Sequence, residues 1–115
     1  MKPIYLDPSH PNFPPEPALP EEALASRRAE LTRWLTARLG ELTGDCVIGD
    51  TQPEAGIVEA SFPAMDGENL AARLREEGVF CTPVEKGVRF TLSAGQAFEP
   101  IDTLQAVLME VLEIQ

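Results

Sequence analysis

The stretch Gly78–Ser93, GVFCTPVEKGVRFTLS, leaves this chain few folds to choose from. Side chains alternate across a strand, so Val79, Cys81 and Pro83 share one side and Phe80, Thr82 and Val84 the other. After Glu85-Lys86-Gly87 the alternation resumes, with Val88, Phe90 and Leu92 on one face and Arg89, Thr91 and Ser93 on the opposite face. An apolar face backed by a polar one marks an antiparallel sheet half covered by helices. Gly87 is expected to supply the positive φ of a short hairpin loop. Pro83 donates no ladder hydrogen bond, which puts the first strand at an edge or at its own end. Arg89 is the charged side chain inside the two strands.

The flanking segments read as cover for that hairpin. Residues 1–20 form an N-terminal arm in which Pro8, Pro11, Pro14, Pro15, Pro17 and Pro20 forbid helix and sheet interior alike, predicting an extended, PPII-like course. Ile4, Tyr5, Leu6 and Phe13 give the arm apolar anchors. Over Glu21–Leu42 the residues Leu24, Leu31, Leu35, Leu39 and Leu42 fall on one helical stripe, with Gly44 as a stop. Arg27, Arg28, Arg33 and Arg38 are expected on its solvated face. Cys46-Val47-Ile48 predicts a short strand followed by a loop through Gly49-Asp50, and Ile57–Phe62 a second strand. Asp66 is placed to cap a helix over Gly67–Glu77, and Pro100 to open a last helix with a broad stripe from Ile101 to Leu112. The fold class is α+β, with a small, largely antiparallel sheet and helices mainly on one face, over residues 21–115.

Composition excludes some functions. A net charge of −10 opposes nucleic acid and anionic membranes, which demand clustered Lys and Arg. No apolar run approaches a membrane span, and no signal-peptide core is evident, so a cytoplasmic setting with reduced thiols is expected. Cys46 and Cys81 make no metal-ligand pattern.

The order of several motifs resembles the C-terminal small domain of class V aminotransferases. These are fold-type I pyridoxal-phosphate (PLP) enzymes that include cysteine desulfurases and kynureninase-like enzymes. The runs concerned are Gly56-Ile57-Val58 to Asp66, Leu70-Ala71-Ala72-Arg73-Leu74 to Val79, Gly87-Val88-Arg89-Phe90-Thr91-Leu92, and Phe98-Glu99-Pro100-Ile101-Asp102. Lys2-Pro3-Ile4-Tyr5-Leu6-Asp7 is similar, more weakly, to the N-terminus of cysteine desulfurases. The resemblance implies that the two ends of such an enzyme are joined here, without the large domain that carries the Schiff-base lysine and phosphate loop. The lysines are Lys2 and Lys86, on a terminus and in a turn, so no PLP is expected on this chain alone.

By the same resemblance, Arg89 matches the arginine that binds a substrate's α-carboxylate, a task suited to the two parallel donors of a guanidinium. Its bland alternative is a strand arginine paired with Glu59 or Glu85. Cys81 invites comparison with the persulfide-forming cysteine of desulfurases. Ungapped matching sets it inside a strand, however, where a buried inert thiol is the simpler reading. His10 stands alone in the arm. Three functions follow: a non-catalytic small domain acting through protein contacts, the carboxylate-binding half of a split PLP enzyme served by a separate large-domain chain, or a thiol relay through Cys81. Exposed apolar arm residues would favour packing on the chain's own sheet or a homodimer.

Overall fold

Three helices lie on one face of a four-stranded antiparallel sheet, and the N-terminal arm threads beside them. A computed structural model describes residues 2–113, so the first arm residue and the last two residues of the predicted closing segment lie outside it. In chain order the elements are β1 (Ile4–Tyr5), α1 (Glu21–Gly40), β2 (Val47–Gln52), a short 3-10 turn (Pro53–Ala55), β3 (Ile57–Ser61), α2 (Gly67–Glu76), β4 (Val79–Phe80), β5 (Thr82–Val84), β6 (Gly87–Thr91) and α3 (Glu99–Val111). The main sheet runs β2-β3-β6-β5, and β1 pairs in parallel with β4 as a separate ribbon. The expected α+β class, with helices on one face, is the architecture observed.

Register sorts the side chains. Val58 lies across from Phe90 and Ala60 across from Val88, and all four are buried beneath the helices. Glu59 lies across from Arg89 and Ile57 across from Thr91, on the half-buried face that no helix among the described residues covers. Leu31, Leu35 and Leu39 of α1, Leu70 and Leu74 of α2, and Ile101, Leu104 and Leu108 of α3 close one core over the buried face. The Asp66 carboxylate accepts from the Asn69 N–H at 2.8 Å, fixing the start of α2, and Gly78 at φ 87° turns the chain out of it.

The structure departs from the sequence expectations in five places. The first strand of the predicted hairpin is split. Val79–Phe80 pairs with the arm, Thr82–Val84 pairs with β6, and Cys81 sits at the crossing between the two sheets. Two ladders compete for one extended run, and the buried arm residues supply the second. Gly87 does not take a positive φ. A side chain there would run into the backbone of Ala60 and Ser61 in β3, and one at Gly67 into the Gly87 carbonyl, so Gly87 permits close approach of the hairpin to β3 and Gly67 that of α2 to the hairpin. Helix α1 ends at Gly40, and the chain reverses through Gly44 at φ 85° while Leu42 still reaches the core. Strand β2 continues through the predicted loop to Gln52, with a register shift between Ile48 and Thr51 that absorbs Gly49 and Asp50 as a bulge.

The fifth departure concerns the arm and the arginines. Ile4 and Leu6 pack within the chain itself, one of the two courses expected of the arm's apolar anchors, but the arm makes tight turns at His10 and Phe13 instead of running on extended. Of the arginines expected in solvent, Arg28 is largely covered. Arg27 lies over the Phe98 ring, and Arg38 bonds Asp102 at 2.8 Å and Glu41 at 2.5 Å. Among the described residues no helix is long and apolar enough to cross a membrane.

Candidate functional site

Arg89 reaches the open face because β6 alternates: Val88 and Phe90 point into the core, so Arg89 points away. Its Nε and Nη2 donate to Glu59 Oε2 at 2.8 and 2.6 Å. The pair is partly wet, with 43% of the arginine side chain and 25% of the glutamate exposed. Around it lies a groove of about 460 Å³, bounded by Val47 and Asp50 of β2, Ser61 of β3, and Val84, Glu85 and Lys86 of the hairpin. Of the two partners foreseen for Arg89, Glu59 holds it. An arginine neutralised by one neighbouring carboxylate, on a face with room beside it, can exchange that partner for another carboxylate.

Cys81 does not join this site. Thr82 lies across from Arg89, so Cys81, one residue before, faces the other way and is buried among apolar side chains. Burial pushes its thiol up to about 12, and the nearby Asp7 charge adds to the rise while Arg75 partly opposes it. Cys46 is pushed up to about 11 by burial alone. Both thiols are free and overwhelmingly protonated at neutral pH, the opposite of what a sulfur nucleophile needs. His10 stacks in an aromatic group, its ring centroid 4.6 Å from those of Tyr5 and Phe80, and its Nδ1 accepts from the Asn12 N–H. That makes it a packing residue of the arm.

Lys2 and Lys86 are both exposed. An imine-forming lysine must be desolvated or set beside another cation, so neither residue fits a covalent PLP site. Among the described residues no group of three or more His, Cys, Asp and Glu could hold a metal.

Sequence reasoning missed a second polar centre. Glu16 leaves the arm to accept both Nη1 contacts of Arg28 at 2.9 Å and the Ala94 N–H at 2.9 Å. Arg28 also donates to Glu21 at 2.5 Å and to the Glu54 carbonyl at 2.6 Å. The Ala94 N–H and Arg28 hold the Glu16 carboxyl below its ordinary value. No local pattern announces this clasp, because it joins the arm to residues far along the chain.

No family model and no curated protein matches the sequence. Solved structures do match. A NifS-like protein superposes with a TM-score of 0.69 at 20% identity, over 82% of this chain and 29% of its own. An apo cysteine desulfurase from Thermococcus onnurineus NA1 gives 0.68 at 19% identity, over 80% of this chain and 26% of its own. A mutant protein of M. tuberculosis gives 0.60 at 26% identity, over 76% and 21%. The chain thus spans about a quarter of the length of the solved chains it matches. Its fold is a small-domain fold shared with cysteine desulfurase-like proteins, as the resemblance in the sequence implies.

Proposed function

We propose that this chain is a protein-contact module, non-catalytic by itself, that works through the open face of its sheet in the cytoplasm. The observation that carries the reading is the groove beside Arg89 and Glu59 on a sheet face that no helix covers. Ile57, half-buried on the same face, adds apolar surface. The lysines supply no enclosed amine for cofactor chemistry. The partner in this reading is a separate PLP-binding polypeptide, since roughly three-quarters of each matched chain lies outside the part that this chain covers.

A photo-crosslinking residue in place of Ser61, on the open face, is expected to capture a second polypeptide in source cells. The same residue in place of exposed Glu110, on the far side of α3, is expected to capture none. Equal capture at both positions, or none at Ser61, overturns the reading. Incubation with PLP is expected to give no visible imine band, and a band abolished by Lys86→Ala would equally sink the non-catalytic assignment.

One observation favours a second reading, the carboxylate-binding half of a split PLP enzyme. Arg89 stays substantially exposed with a displaceable partner. Arg89→Lys would then weaken the assembled activity mainly through KM, because a lysine cannot donate the paired bonds. The burial of Cys81 weighs against a thiol relay.

A further inference from the structure

The two edges of the main sheet are built differently. β5 is three residues long, carries Pro83 at its centre and lies against α2, so it offers little for another strand to pair with. β2 is six residues long and has neither proline nor lysine. At one end of the order β2-β3-β6-β5, it has no strand partner on its outer side among the described residues. Every residue of it except Thr51 is exposed. Val47 at 56% and Ile48 at 38% exposure are two of the four large exposed hydrophobics of the described chain. Natural sheets usually blunt such an edge. The blunting devices here, the bulge at Gly49-Asp50 and the Asp50 charge, lie mid-strand and leave the Val47-Ile48 end open.

Charge identifies what this edge accepts. Between Arg38 and Arg73 the sequence has no Lys or Arg, while it carries Glu41, Asp45, Asp50, Glu54, Glu59, Asp66 and Glu68. Asp50 lies on β2 itself, and Asp45 and Glu54 flank it. A second copy pairing β2 to β2 about a two-fold axis would bring two such acidic borders together between two chains of net charge −10. An extended segment alternating apolar with Lys or Arg residues would satisfy both the open backbone and the acidic border.

We propose that the β2 edge docks an extended, basic strand of a partner protein by adding it to the sheet. Main-chain hydrogen bonds would supply the pairing, Val47 and Ile48 the apolar contact, and Asp45, Asp50 and Glu54 the selectivity for positive charge. This surface is the rim of the sheet, and because Val47 and Asp50 also border the groove beside Arg89, the two contacts are told apart by whether the amides of β2 or those around Arg89 and Glu59 respond.

The test uses the full chain, isotope-labelled for amide NMR. The probe is a heptapeptide alternating valine and lysine, N-methylated along one edge so that it cannot stack on itself. Expected results are saturable shifts and slowed amide exchange confined to residues 46–52. Affinity should fall about tenfold or more when glutamate replaces lysine in the peptide, and should fall again as salt is raised. Val47→Lys, at an exposed position that leaves the fold intact, is expected to abolish binding. The proposal is overturned by absent binding, by equal affinity for the acidic peptide, or by shifts centred on Arg89 and Glu59. It is overturned too if the free chain proves to be a dimer that Val47→Lys dissolves, which would assign the edge to a second copy.

Discussion

Glu16 does more than its position in a proline-rich stretch suggests. A carboxylate one-third exposed would ordinarily add little, because solvent screens it. Here it serves a guanidinium that is 13% exposed together with a backbone N–H, so losing its charge removes one of the two acceptor oxygens and weakens the bonds to both donors. Glu16→Gln is expected to cost about 1 kcal/mol of stability at neutral pH. The sign of the pH dependence follows from the lowered folded pKa. The wild type's advantage is complete above the ordinary value of 4.5 and disappears as pH falls through the lower folded value. Urea unfolding of both proteins across that range checks it; a gap that persists in acid would show that the charge is not the cause. The Arg89–Glu59 pair, by contrast, is legible in the sequence, because strand alternation puts each residue on the polar face of its strand.

Helices and strands differ in how openly they announce themselves. α3 follows its apolar stripe closely, and Leu104 is fully buried where the periodicity puts it. Leu104→Ala is expected to cost about 2–5 kcal/mol in denaturant unfolding, through lost burial and the cavity left behind. A cost below about 1 kcal/mol would show that the neighbouring side chains collapse into the space or that the core lies elsewhere. β2 and β4 were harder to read. Alternation over residues 79–84 signals extended chain and cannot say which of two ladders each residue joins. The division at Cys81 is decided by Ile4 and Leu6, far away in sequence. β2 is only half legible in the sequence, because its exposed residues lack alternation and its bulge contains Gly49-Asp50, which locally resemble a turn. Gly87 stands at the hairpin as the sequence implies, but its need for glycine comes from the β3 backbone at Ala60 and Ser61 and not from a positive φ.

At the scale of the whole molecule, the arm belongs to the core. The radius of gyration is 13.2 Å, close to the roughly 13 Å of a folded chain of 100 residues, which leaves no room for a trailing tail. Ile4 and Leu6 are each buried as fully as the helix leucines, and two such side chains together contribute about 3–6 kcal/mol. That is a large part of the 5–15 kcal/mol typical of a domain. Removing residues 1–20 is therefore expected to abolish cooperative thermal unfolding. A truncated chain melting within a few degrees of the full one would show that the arm only rests on the surface. The parallel pairing of Ile4 with Val79 also sets an order of events during synthesis. Made first, the arm has no strand to pair with until the ribosome has released Val79 and Phe80. At about 5–20 residues per second it waits on the order of ten seconds with two apolar side chains unsheltered. The prolines that follow keep the nascent segment out of helical and sheet-like associations in that interval.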